Sequence, residues 1–97
     1  MSKLSHGEIH YRIVLVCDGV PCHAGPQAAL DITQEFTKRP WHNLVVCTWD
    51  GEALVLQAEN DFDPEGIALI DEFSDAIAAS IADGFAGNIR VLSLARF

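Results

Sequence analysis

Basic residues are scarce in this chain. Its 97 residues include 6 Lys and Arg against 14 Asp and Glu, a formal net charge of −8. Between Arg39 and Arg90 there is no Lys or Arg at all, whereas carboxylates recur from Asp50 to Asp83. Such a surface repels a phosphate backbone, so no nucleic-acid partner is expected. It suits solubility, or a face for a basic protein partner. Cysteine is scarce too. There are three, an odd number, which argues against a disulfide framework and fits a reducing cytoplasm. No apolar run approaches the ~20 residues that cross a bilayer, so no membrane span is expected. The opening MSKLSHGEIHYR lacks the apolar stretch of a signal peptide.

What the chain does have is alternation. From His42 to Asn60 it reads HNLVVCTWDGEALVLQAEN. Two apolar runs flank Asp50-Gly51, a pair that suits a two-residue hairpin turn with φ > 0 at both positions. That turn predicts a register in which Trp49 faces Glu52, Cys47 faces Leu54, Val45 faces Leu56 and Asn43 faces Ala58. These residues share one largely apolar face. Leu44, Val46, Thr48, Ala53, Val55, Gln57 and Glu59 share the other. A lone hairpin is marginal in water, so the first face needs a core to pack against.

The flanking segments supply one. Residues 8–17, EIHYRIVLVC, are rich in β-branched and aromatic side chains and predict a strand. DGVPCHAG is a loop, and Pro26 opens a helix reaching about Lys38, with Ala29, Ile32 and Phe36 inward. Pro40 ends it. Asp63-Pro64-Glu65 then reads as the N-cap, first position and acidic first turn of a second helix. Ile70, Phe73, Ile77 and Ile81 are its buried stripe, and Gly84 its stop. NIRVLSLARF closes the chain as a strand. The order β-α-β-β-α-β predicts an α+β fold of the ferredoxin-like split β-α-β kind. It is a four-stranded antiparallel sheet in the order 4-1-3-2, with two helices on one face. Residues 1–7 are expected to form a flexible arm and 8–97 a single domain.

Three loops share one end of such a sheet, which brings Cys17, Asp18, Cys22 and His23 toward Asp50, Glu52 and Asp83. Near Gly25 the helix begins, and a thiol there is more easily ionised, so Cys22 is a candidate nucleophile. Cys17, Cys22 and His23 with a carboxylate are a candidate zinc set, and the loop amides a candidate anion cradle. Against these stands the plain alternative, with Cys17 in the core and Cys22 and His23 in an ordinary loop. The stretch VLVCDGVPCHAGPQAAL resembles the first half of a thioredoxin-like 2Fe–2S ferredoxin, which carries a strand, two cysteines at the spacing of Cys17 and Cys22, and a helix. That family needs a second cysteine pair, and this chain has only Cys47 besides. No cluster or other cofactor is therefore expected.

DFDPEGIALIDE, from Asp61 to Glu72, superficially matches a calcium loop, with Asp61, Asp63, Glu65 and Glu72 at ligand positions. The preceding strand, where a calcium loop has a helix, argues against it, and no metal is expected.

The remaining candidate is the sheet face without helices. The first strand places His10, Arg12, Val14 and Val16 there, the second Val46 and the third Val55. The last strand offers either Leu92 and Leu94 with Arg90 and Arg96, or Val91, Ser93 and Ala95. The first set is favoured because Ile89, Val91 and Phe97 suit the core. An apolar centre with a charged rim predicts an interface. The expected function is a small, non-catalytic binding or interaction protein. It would be a homodimer packed sheet against sheet, holding a basic protein partner or a small anionic ligand near Arg12 and His10. A thiol-based redox or metal-binding protein using Cys17, Cys22 and His23 is the alternative.

Overall fold

The computed structural model describes residues 10–81 and 87–96. The elements are β1 (Tyr11–Asp18), α1 (Gly25–Glu35) continued by a 3-10 turn over Phe36–Lys38, β2 (Asn43–Trp49), β3 (Leu54–Asn60), α2 (Ile67–Ser80) and β4 (Asn88–Arg96). The strands form one sheet in the order β2-β3-β1-β4, antiparallel at every pairing. This is an α+β fold. The arm expected over 1–7, the start of the first strand, Asp83, Gly84 and Phe97 lie outside the described residues.

One sheet face builds the core. Ile13, Leu15 and Cys17 of β1, Cys47 of β2, and Leu54, Leu56 and Ala58 of β3 meet Ala28, Ala29 and Ile32 of α1, Phe36, and Leu69, Phe73 and Ile77 of α2 in a single buried cluster. Each buried aliphatic or aromatic side chain contributes about 1.5–3 kcal/mol, so this face dominates the packing energy.

The hairpin turn is wider than the two-residue turn expected. Trp49 pairs with Leu54, not Glu52, and Cys47 with Leu56, which leaves 50–53 outside the ladder. Asp50 organises that loop. Its Oδ1 accepts the N–H groups of Glu52 (2.8 Å) and Ala53 (2.7 Å), and its own N–H donates to the Ala53 carbonyl at 3.1 Å. The amides of Glu52 and Ala53 hold the Asp50 carboxyl below the usual range. An Asp side chain that captures backbone N–H groups competes with the tight turn, and here it wins. Within 50–53 only Gly51 takes a positive φ, 101°. Moving the register by an even step keeps Cys47, Trp49, Leu54 and Leu56 on the core face as expected.

Two bulges were not anticipated. Asn43 pairs with Glu59 and Val46 with Gln57, so β2 holds one extra residue. The extra residue is absorbed at Leu44, which has φ 52° and is 71% exposed. In β4, Val14 pairs with Ser93 but Leu15 with Val91, leaving Leu92 as the extra residue. The alternation reverses there. Ile89, Val91, Leu94 and Arg96 lie on the helix side, opposite Cys17, Leu15, Ile13 and Tyr11. Arg90, Ser93 and Ala95 lie on the other side, opposite Val16, Val14 and Arg12. Neither expected set for the last strand is therefore intact, and Leu94 leaves the helix-free face.

The helix limits also differ. α2 starts at Ile67 after Gly66 (φ 77°), not at Pro64, and ends at Ser80. Asp63 still does the work of a cap from outside the helix, because its carboxylate accepts the N–H groups of Ala68 (3.2 Å) and Leu69 (2.9 Å). In α1 the expected α-helix stops at Glu35 and tightens, and Arg39 Nη1 donates to the Glu35 carbonyl at 3.0 Å.

Leu44 sits in a left-handed conformation that costs a branched residue roughly 1 kcal/mol, while its exposed side chain earns little in packing. Leu44→Gly is expected to leave stability unchanged or raise it by up to ~1 kcal/mol in urea melts. A loss beyond ~1 kcal/mol would mean that Leu44 makes an essential contact.

Candidate functional site

Among the described residues the buried polar side chains are His42, Asn60 and Asp63. His42 and Asn60 flank the two strands of the hairpin at its open end, so β2–β3 pairing brings them together. Asn60 Oδ1 accepts the N–H groups of Phe62 (3.2 Å) and Asp63 (3.0 Å). Its amide nitrogen therefore has to face His42 Nδ1, 3.2 Å away. An amide N–H needs an acceptor, which makes Nδ1 the unprotonated nitrogen and leaves Nε2 to donate. Nε2 lies 3.2 Å from Glu72 Oε2.

Glu72, on α2, collects two more donors. Trp41 Nε1 lies 3.2 Å from both carboxylate oxygens, and Arg39 Nε lies 3.1 Å from Oε1. Rings enclose the histidine. Phe36 and Phe62 stand 5.8 and 5.7 Å from it, centroid to centroid, and Arg39 lies over the Phe36 ring at 5.2 Å. A cavity of about 200 Å³ adjoins the cluster, lined in part by Thr33, Phe36, Arg39 and Val45.

A neutral imidazole between an amide and a carboxylate is the geometry of an oriented catalytic base. Here both ring nitrogens are committed and the side chain has no solvent exposure. His42 is nonetheless among the residues that line the adjoining cavity. The arrangement ties the 39–42 segment, the end of β3 and α2 together. No local motif signals it, because His42 is 18 residues from Asn60 and 30 from Glu72. In the expected register one step past the open end pairs His42 with Glu59, and the wider turn together with the bulge at Leu44 makes Asn60 its neighbour instead.

Among the described residues Cys17, Cys22 and His23 do not group as a metal site. Cys17 is buried in the core, its thiol 3.6 Å from the Asp18 carbonyl oxygen, whereas Cys22 and His23 are exposed. Burial, then the Asp18 charge, pushes the Cys17 thiol up to about 11. Burial, then the charge of Cys17, pushes Cys47 up to about 12. All three are free thiols. Asp18 pairs with Arg90 at 3.3 Å. Gly25 has a packing role, since a Cβ there would run into the Trp49 indole. That contact does place the hairpin loop beside the start of α1, as the topology implied.

Nor do the calcium-like carboxylates converge. Asp63 caps α2 and Glu72 serves the histidine network, while Asp61 and Glu65 are exposed. Among the described residues no three His, Cys, Asp or Glu side chains group as a metal site. A further groove of about 580 Å³ between the ends of the helices is lined by Asp31, Gln34, Glu35, Thr37, Lys38, Ala79 and Ser80. It lacks the apolar wall of a ligand pocket.

On the helix-free face Arg12 Nε lies 2.9 Å from Glu59 Oε2, and His10 precedes β1 half-buried. Val16 is buried, Val14 and Val55 are half-buried, and Val46 is exposed. Thr48, Gln57, Ser93 and Ala95 interrupt them. More apolar surface surrounds β4, where Val91, Leu92 and Leu94 are 40%, 56% and 40% exposed and Ile67 is 59% exposed. Gly66 carries this patch onto α2, because a Cβ at Gly66 would sit 3.9 Å from Val91. Among the described residues no helix is long and apolar enough to cross a membrane. Comparison of the chain with protein-family models, curated proteins and solved structures found no match.

Three measurements test this site. Asn60→Ala strands two backbone N–H groups and the His42 acceptor, each costing ~1–3 kcal/mol when buried unpaired, so a loss of about 3 kcal/mol is expected in denaturant melts. A loss under ~1 kcal/mol would refute the bracing role. Separately, a thiol reagent is expected to label Cys22 alone in the native chain. Thiols in the unfolded chain ionise near pH ~8.5, well below the folded values, so unfolding releases protons above that pH. The stability that Cys17 and Cys47 contribute is whole below pH ~8.5 and declines as pH rises toward the folded values of about 11 and 12. Cys47→Ala should flatten that decline in melts taken across the alkaline range, and an unchanged slope would contradict it.

Proposed function

We propose that this chain is a ferredoxin-like α+β domain whose role is non-catalytic binding of protein, through the surface centred on β4. The observation that carries this reading is the exposure of that strand. Of the residues Asn88–Arg96 all but Ile89 are exposed, the large apolar Val91, Leu92 and Leu94 among them. In the buried network Glu72 is engaged by Arg39, Trp41 and His42, and the His42 side chain has no exposure. Free cysteines suit a reducing compartment such as the cytoplasm.

The acidic residues Asp71 and Asp75 face outward on α2. They favour basic partners and disfavour nucleic acid. The helix-free face is a weaker candidate than the sequence suggested. Its Val16 is already covered, and the Arg12 charge is matched by Glu59.

The test compares the parent with a Val91→Lys/Leu94→Lys variant, whose altered positions are exposed enough to tolerate charge. Sedimentation of each protein alone, and enrichment of partners from its native extract, are run side by side. The variant is expected to lose most of what the parent binds at an unchanged melting temperature. Equal binding by the two proteins would overturn the assignment to β4.

A further inference from the structure

The two edges of the sheet are unlike. At the β2 edge, the Cys47 N–H donates to Thr33 Oγ1 of α1 at 3.0 Å, and the ladder breaks at Leu44. α1 thus covers that edge at Cys47. β4 forms the opposite edge, with no described strand beyond it. Its sequence, NIRVLSLAR, contains no proline and no acidic residue. An edge of this kind pairs with another strand unless something covers it.

The bulge makes β4 complementary to itself. Because Leu92 is the extra residue, the helix-side positions are Ile89, Val91, Leu94 and Arg96. That set is symmetric about the point between Leu92 and Ser93. A second β4, antiparallel and related by a two-fold axis at that point, sets Val91 opposite Leu94, Ile89 opposite Arg96 and Arg90 opposite Ala95. Every such pair shares a face. Shifting the register by one residue sets helix-side positions against the other side, which a sheet does not allow. An axis through Ser93 would also oppose Arg90 to Arg96, two like charges. An unbulged strand, with strict alternation, would not place the same residues in this self-matching arrangement.

We infer that two copies of this chain associate through β4 in that register, continuing the sheet across both. The inference rests on the reading of the chain as a binding protein and names its partner. Val91 and Leu94 of each copy then form one apolar row on the helix side, with Ile67 of α2 beside it. The charges agree. β4 carries Arg90 and Arg96 in a chain of net charge −8, so the seam lies where two acidic copies repel one another least.

The test uses the full chain with Cys22→Ser, which leaves only the buried thiols Cys17 and Cys47. Val91→Cys and Leu94→Cys are made separately and oxidised under mild conditions, alone and mixed. The mixture is expected to form disulfide dimers at least several-fold more than either variant alone, because residue 91 of one copy faces residue 94 of the other. Sedimentation of the parent is expected to show dimers at high micromolar concentration. A monomeric parent there would overturn the self-association. A dimeric parent with equal cross-linking in mixed and unmixed samples would overturn the register. Neither of those results touches the broader reading, which fails only if the lysine variant binds as the parent does.

Discussion

The structure turns on the side chain of Asn60. Its carbonyl oxygen holds the chain as it leaves β3, and its amide nitrogen sets the protonation of His42. The histidine then reaches Glu72, and Glu72 gathers Arg39 and Trp41. Two steps on from the same turn, Asp63 supplies the acceptor for the first amides of α2. The end of the hairpin, the segment after α1 and the start of α2 are thus located by one connected set of hydrogen bonds. Apolar packing drives the helices onto the sheet but has no direction. The network supplies direction, and its burial makes each missing partner costly.

Satisfying so many polar groups internally has a consequence for function. The one histidine positioned like a catalytic base is enclosed, and two of the three thiols ionise only far above neutrality. At the surface remain Cys22 and His23, many of the carboxylates and the outer edge of β4. α1 covers the β2 edge at Cys47 through Thr33, and the left-handed Leu44 disturbs it further. β4 has neither form of cover among the described residues. That asymmetry is what supports the proposed role of β4 in binding.

Much of this could be read from the residues. Alternation in 43–60 identifies two strands and their inward face, and the spacing of Phe73 and Ile77 identifies the buried side of α2. Pro26 and Pro40 bracket the first helical segment. These signals are local and depend on periodicities of 2 and 3.6, which the backbone imposes on any chain. The site was less legible. Cys17 and Cys22 are close in sequence and suggested a ligand pair, yet side-chain alternation sends Cys17 into the core. His42 and Asn60 are far apart in sequence and make the contact that matters.

The sequence by itself determined the element order, the core-facing residues of the hairpin and helices, and the acidic surface, because each is written in neighbouring residues or in composition. Only the tertiary structure decided the exact turn, the two bulges and the partner of every buried polar group. Asp50 had a choice between a tight turn and an acceptor role, and the amides of Glu52 and Ala53 settled it. Leu92 could face either side, and the mismatch between β4 and β1 left it as the extra residue. Such outcomes depend on energies of about 1 kcal/mol set by neighbours distant in the chain, and no local pattern records them.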